Sequence, residues 1–323
     1  MIQIHLVGPK TLLCLSVSIY SHPSHPSPSM LLRPLPTRTL LSSLSAGTAA
    51  LAAAATMSTS SATPSSSAAA APPNTTPSFP SKPYTPRHKT WPYTASDFRR
   101  EDESSDSTFY SAPRFVTHID NHAISQLGKY YAEALPRRGR ILDFCSSWIS
   151  HFPRELEDAV NKGELQVVGM GMEERELRRN EMLTGGRICR DLNTRPEVSE
   201  EVGRLDAATC VVSIDYLVKP VEVLESVRER MREGAMVHLV VSNRCFPTKA
   251  VGRWLRVSEE ERLRMVGDYL WFAGWKDIRI FTLSDGKAED GGGSGLFGWF
   301  AGGTDPLWVV RGTKVGEQGR DEL

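Results

Sequence analysis

The sequence predicts an α/β fold: a Rossmann-like, doubly wound, mostly parallel seven-stranded sheet with an antiparallel end, behind a disordered N-terminal extension. Three observations lead there. From Arg140 onward, short continuous apolar runs alternate with amphipathic stretches, the signature of strands covered on both faces by crossover helices. The last two apolar runs have no full helix between them, so the sheet ends antiparallel. Residues 1–96 hold six Lys or Arg and no acid among Ser, Pro and Ala tracts, a composition that buries too little apolar surface to offset chain entropy.

The elements follow in order. Ile141–Cys145 is the first apolar run. Pro153–Asn161 reads as a helix, with Phe152, Leu156 and Val160 at i, i+4 and i+8, Pro153 in the first turn and Gly163 as the stop. Leu165–Gly169 is the next strand and Glu173–Asn180 the next helix; Arg187–Arg190 is a short strand and Asp206–Ile214 a buried one. Pro220–Glu233 places Val223, Val227 and Met231 on one face and stops at Gly234, ahead of the strand Met236–Val241. Ser258 and Glu261 form a capping box before Leu263, Val266, Leu270 and Ala273, with Gly274 as terminator. Lys276–Leu283 and Pro306–Thr313 close the sheet.

This gives an extension over 1–85, a helical cover over 86–139, the α/β domain over 140–314 and a tail over 315–323. Within the domain, 286–304 holds eight glycines and reads as a flexible insertion; its Phe297, Trp299 and Phe300 either dock on a ligand or belong to a loosely packed loop. Arg33, Arg38 and the absence of acids before Asp97 suit an organelle-targeting presequence of mitochondrial type. A start at Met57 would instead leave the chain cytoplasmic. The closing Arg320-Asp321-Glu322-Leu323, behind the short apolar Thr11–Tyr20, admits the lumen of the endoplasmic reticulum.

Past residue 96 the chain carries 32 basic against 38 acidic residues, so no nucleic-acid partner is expected. No apolar run reaches the roughly 18–20 residues of a membrane span. Cys14, Cys145, Cys189, Cys210 and Cys245 show no CxxC spacing; no metal site is expected, and small apolar packing accounts for them better. Val168-Gly169-Met170-Gly171-Met172 has two glycines of a dinucleotide fingerprint, but Glu174 stands at the third and would oppose a pyrophosphate.

Four segments carry a resemblance: Phe109–Asp120, Leu142–His151, Arg190–Asn193 leading to Cys210–Leu217, and Ser242–Ala250. Over roughly residues 107–313 the chain resembles the class I S-adenosylmethionine-dependent methyltransferases, in a type-11-like group with an altered glycine-rich loop. The resemblance implies methyl transfer from S-adenosyl-L-methionine to a small-molecule acceptor. It places Asp143 under the methionine moiety and Asp191, with Leu192 beside it, at the adenine. Gly171 stands at the position of the ribose-binding acid, with Glu173 or Glu174 near enough to reach back, and Ser213 ends the fourth strand. The three loop glycines are replaced by Cys145, Ser147 and Ile149, so Ser146 and Ser147 hydroxyls are expected to stand in for backbone donors. Trp148 either walls the pocket or packs in the core.

The catalytic candidates are His118, on a helix covering the pocket, and Asn243 and Arg244 after the fifth strand; Arg244 would imply an anionic acceptor. Each also has an ordinary reading: His118 caps a helix, Asn243 closes a turn, and Arg244, like Lys249, rests on a loop. The competing class is a non-catalytic binding or assembly module that kept the sheet. Neither acceptor identity nor oligomeric state is legible at this stage.

Overall fold

The computed structural model describes residues 77–287 and 303–316. The targeting segments, the aromatic residues of the insertion and the C-terminal Arg-Asp-Glu-Leu lie outside the described residues. In chain order the elements are β1 (Ser81–Pro83), α1 (Asp106–Phe109), α2 (Asn121–Ala134), β2 (Gly139–Phe144), α3 (Arg154–Asn161), β3 (Leu165–Gly171), α4 (Glu174–Arg179), β4 (Gly186–Cys189) and β5 (Leu205–Val211). They continue with α5 (Pro220–Arg230), β6 (Met231–Ser242), α6 (Gly252–Arg256), α7 (Glu259–Phe272), β7 (Lys276–Ser284) and β8 (Leu307–Thr313).

The strand order is β1-β7-β8-β6-β5-β2-β3-β4. Strands β2 to β6 run parallel to one another, and β8 lies antiparallel between β6 and β7. This is the doubly wound sheet with an antiparallel end that the alternation predicts. An eighth strand, β1, adds antiparallel to the β7 edge; its three residues, Ser-Lys-Pro, carry no apolar periodicity that could announce it. Another difference lies at α5, which stops at Arg230 rather than Glu233. Met231 already pairs with Leu205 across a register shift, and Gly234 (φ 77°) turns the chain within the bulge.

Apolar faces decide the layers. Leu127, Tyr130 and Tyr131 of α2, Leu156 and Val160 of α3 and Leu177 of α4 pack on one face with Ile141, Val167 and Val240. On the other, Val223, Leu224 and Val227 of α5, Trp254 of α6 and Leu263, Val266 and Leu270 of α7 pack with Leu142, Val168 and Leu239. Strands buried on both faces need these unbroken apolar runs, which is why the sequence exposes them so plainly. Local signals also hold: the Ser258 hydroxyl accepts the Glu261 N–H at the head of α7, and Gly274 closes it at φ 82°.

What positions a site is the switch in connectivity. From β2 the chain winds outward through β3 and β4, then crosses back to β5 on the opposite side of β2. In open α/β sheets diverging connections of this kind place the ligand crevice outside the carboxyl ends of the strands at the switch, here β2 and β5. On its β3 side the backbone is tightly apposed: a Cβ at Gly171 would overlap the carbonyl oxygen of Ser146, whereas one at Gly169 would meet only the methyl ends of Leu183. Gly171→Ala is therefore expected to cost about 3 kcal/mol, and Gly169→Ala about 1 kcal/mol after Leu183 rotates away. Urea titrations of the two variants measure the difference; equal losses would mean that the loop backbone yields freely.

Candidate functional site

Backbone strain marks the crevice. Five described non-glycine residues have φ in the left-handed region, and four of them surround the ends of β2 and β5: His118 (64°), Cys145 (53°), His151 (55°) and Val212 (41°). Each such conformation costs of order 1–3 kcal/mol and persists only where its surroundings impose it; a β-branched valine there is a marked outlier.

The imposing group is Asp143, buried at the end of β2. Its Oδ2 accepts hydrogen bonds from Ser146 Oγ (2.8 Å) and Ser150 Oγ (2.7 Å), and its Oδ1 from Thr209 Oγ1 of β5 (3.3 Å). Burial pushes the carboxyl up to about 6, against the lowering effect of the three hydroxyls. The loop is braced outward as well. Ser146 N–H donates to Met170 O (2.8 Å), Ser147 Oγ to Glu176 Oε2 (2.9 Å), and Asn180 Nδ2 to Ser147 O (3.0 Å) and Ser150 Oγ (2.9 Å). Cys145 thus occupies a glycine-like turn without being glycine.

Residues 95–120 pass over this edge and are pinned there. Lys249, 3% exposed, donates to Ser104 O (2.8 Å) and pairs with Asp102 (3.0 Å) and Asp106 (3.3 Å); Arg100 pairs with Asp106 at 2.8 Å. Asn193 Nδ2 ties Asp106 Oδ2 (2.9 Å) to Tyr216 O (3.0 Å). Beside this cluster, Phe109 packs edge-on to Phe246, and the Arg114 guanidinium lies 4.0 Å from the Phe109 ring centre and 5.4 Å from that of Phe246.

Against this geometry the candidates separate. Ser146 and Ser147 spend their hydroxyls on Asp143 and Glu176, bracing the loop rather than presenting donors. Glu173 caps α4 by accepting Glu176 N–H (2.8 Å) and pairs with Arg175 (2.6 Å), while Gly171 lies under Ser146. Asp191 accepts Asn193 N–H at 2.8 Å and makes no ion pair among the described residues; Leu192 beside it is buried. Ser213 Oγ donates to Val211 O (2.8 Å).

His118 does not lie on a helix: Asp120 caps α2 by accepting Ala123 N–H (2.8 Å), leaving His118 two residues ahead in a left-handed turn, edge-on to Phe246. Asn243 is half-buried and accepts only a long bond from Ser242 Oγ (3.4 Å). Arg244 Nε pairs with Asp305 Oδ1 at 2.7 Å; Asp305 and Asp120 also exchange backbone-to-carboxylate bonds. The Arg244 side chain is otherwise largely exposed, so this pair occupies Nε and leaves the rest of the guanidinium at the surface. Trp148 is half-buried, donating to Val116 O (2.9 Å) and standing edge-on to Phe115.

The sequence reading passed over three groups that the fold brings to this region. Arg114 makes no ion pair among the described residues; its Nη1 donates to Phe109 O (2.9 Å). His151 is buried, its Nδ1 without a hydrogen-bond partner among the described residues. Asp215, in the turn after β5, has an unpartnered Oδ2, and burial pushes it up to about 8 within electrostatic reach of Arg262 and Tyr269 of α7. No periodicity or spacing singles them out.

For S-adenosylmethionine the residues fit at two points: the tight Cys145 turn, whose next carbonyl, that of Ser146, lies against Gly171, and the Asp191 carboxylate just after β4. No family model matches the sequence, and no curated protein matches it. Among solved structures, the chain is similar to a SAM-dependent methyltransferase from Archaeoglobus fulgidus (13% identity, 55% of this chain, 86% of that one, TM-score 0.35). It is also similar to the fibrillarin pre-rRNA processing protein of Methanococcus jannaschii (14%, 56%, 68%, TM-score 0.39). The third is phosphoethanolamine N-methyltransferase 2 of Haemonchus contortus in complex with S-adenosyl-L-methionine (13%, 55%, TM-score 0.36), about half of whose length this chain spans.

Two outcomes follow from these contacts. Asp143 and Asp215 hold protons more tightly folded than unfolded, so their contribution to stability falls as pH rises from about 4 to 8, while the lowered imidazoles of His118, His151 and His238 act in the opposite sense up to 6.5 and leave the fall above it to Asp215. Asp215→Asn should flatten the upper part of that fall in urea titrations from pH 4 to 8; an unchanged slope would show that Asp215 is ionised at no cost. Lys249→Met leaves Asp106 and Asp102 short of a cation, an expected loss of about 3 kcal/mol, with amide exchange accelerated over residues 100–110 and unchanged in β2 and β5.

Proposed function

We propose that the chain is an S-adenosylmethionine-dependent methyltransferase acting on a small-molecule acceptor. The observation that carries this reading is the left-handed Cys145 turn, which keeps the close backbone approach of a glycine-rich loop after the glycines have gone. Strain of that kind is retained where a ligand must come near the main chain. Asp191 supports it as a carboxylate with an acceptor oxygen uncommitted at the next strand end but one. The pinned segment over the crevice suits a small acceptor better than a folded macromolecule.

When bound, S-adenosylmethionine would supply an electrophilic methyl group on a sulfonium. The protein's part is alignment and exclusion of water. Asp143 would act through the loop it organises, since its oxygens are occupied by hydroxyls; Asp191 would accept from the adenine amine. Residues 95–120 would cover the reacting atoms, with His118 on their inner side.

Calorimetry with S-adenosylhomocysteine tests the reading. Binding in the micromolar range is expected, weakened about tenfold in Asp191→Ala by the loss of one hydrogen bond to a charged group. Silence at millimolar ligand would overturn it in favour of a sheet kept as a binding or assembly module.

A further inference from the structure

The fifth left-handed residue lies away from the crevice, on β7, with β8 and β6 between it and β5. Asp277 (φ 46°) stands between Lys276 and Arg279, where the pairing of β7 with β8 shifts register. This bulge has a consequence for charge. Lys276 is opposite Thr313 and Arg279 is opposite Arg311, and those two β8 residues, two positions apart, share a face of the sheet. In a regular strand Lys276 and Arg279, three positions apart, would fall on opposite faces. The strained aspartate sets them on the same one.

Like charges directly opposite each other on antiparallel strands repel. Arg279 and Arg311 are such a pair, and Arg311 is only 6% exposed. His238 opposes Arg311 on β6, and the Phe281 ring centre lies 4.8 Å from its guanidinium carbon. Burial holds this guanidinium below its ordinary value, and Arg279 adds to the lowering, against Tyr130 and Asp277. Arg279 Nη2 donates to Ser81 Oγ (2.9 Å), and Lys276 Nζ stands 4.8 Å from the Trp271 ring centre. None of the three cations makes an ion pair among the described residues. Glu133 of α2 accepts from Ser78 N–H (2.6 Å) and Oγ (2.8 Å), just ahead of β1. Beside the cations the sheet edge is indented: Pro83, Tyr84, Trp271, Lys276, Asp277 and Arg279 line an open cavity of about 230 Å³. That is below the roughly 300 Å³ at which sites for drug-sized ligands begin, so it suits a compact ligand. Three cations against the Asp277 carboxylate leave two positive charges, which a phosphate dianion offsets.

We propose that this edge of the sheet binds a small phosphate monoester, its phosphoryl group held by Lys276 and Arg279 with the charge of Arg311 behind them, and its apolar body between Tyr84 and Trp271. Guanidinium and ammonium groups both suit phosphate oxygens, the former through its planar fork of donors. In the free protein the opposed arginines repel; the bound dianion relieves that repulsion. The site stands apart from the carboxyl ends of β2 and β5 and does not rest on the methyl-transfer reading.

The test is phosphorus-31 NMR of phenyl phosphate titrated with the full chain, in chloride buffer of fixed ionic strength. Saturable binding with a Kd of about 1 mM or tighter is expected. Inorganic phosphate, which lacks the ring, should bind up to about tenfold more weakly. Amide signals should shift over residues 276–279 and 309–312 and stay in place over 143–151. Arg279→Gln and Lys276→Gln, both at half-buried positions, should each weaken phenyl phosphate about tenfold. Arg311→Met should weaken it about threefold and raise the urea midpoint of the free protein, because a repelling charge is gone. A purely structural Arg311 would lower that midpoint and leave phosphate binding alone. Should Arg311→Met fail to fold, the Arg279 and Lys276 variants still decide the matter. S-adenosylhomocysteine affinity should be the same in Arg279→Gln as in the wild type. No saturation by about 10 mM ligand, equal binding to the Arg279 and Lys276 variants, or amide shifts confined to other segments would each overturn the site. Benzoate binding as tightly as phenyl phosphate would overturn the choice of a dianion.

Discussion

A carboxyl group at the end of a strand covered on both faces has few ways to exist. Without hydrogen bonds it would cost several kcal/mol, and water is excluded from the sheet around Asp143. Here three hydroxyls reach it, two from the residues that follow and one from the neighbouring strand. That requirement fixes the path of 145–151: Ser146 and Ser150 must both point inward, so the chain coils tightly between them. Cys145 and His151 take left-handed conformations, and Ser146's carbonyl comes to rest against Gly171. The buried acid thus holds in place the tight turn that lies at the end of β2.

The charge balance at the same edge is equally constrained. Lys249, Arg100, Asp102 and Asp106 neutralise one another where the covering segment crosses the β6 loop, and Arg244 neutralises Asp305 at the entry to β8. Such pairs hold segments in place more than they add stability, since removal of charge from water offsets much of their attraction. Their effect is selective: Lys249 and Arg100 are matched by Asp102 and Asp106, whereas Arg114, held between the Phe109 and Phe246 rings, makes no ion pair among the described residues.

The N-terminal stretch anchors this cover from behind. Tyr84, Tyr93 and Arg87 converge on Asp268 of α7, and a Cβ at Gly267 would strike the Tyr84 ring. Trp91, Phe98 and Tyr269 pack around the same point. Residues 84–120 are thus fixed at the α7 face by a buried carboxylate and at the strand ends by Lys249. A segment tied at both ends can present His118 and Arg114 in a defined place, although most of it is neither helix nor strand.

Periodicity sufficed for the order of strands and helices from Arg140, because burying a sheet on two faces demands apolar runs that stand out along the chain. Capping at Ser258 and termination at Gly274 were equally legible, being local. The β1 edge strand was not, since three exposed residues leave no pattern. At the strand ends, sequence placed Asp143 at the close of β2 and Asp191 just after β4, but put His118 on a helix that begins only at Asn121. It could not say that Ser146, Ser147 and Glu173 spend their polar groups internally, that Arg244 Nε pairs with Asp305, or that among the described residues Arg114 makes no ion pair and His151 Nδ1 no hydrogen bond. Some of these partners are local, Asp143 three residues before Ser146 and Arg175 two after Glu173, but Glu176 reaches Ser147 across 29 positions and Asp305 reaches Arg244 across 61, and that proximity comes into being only when the sheet closes.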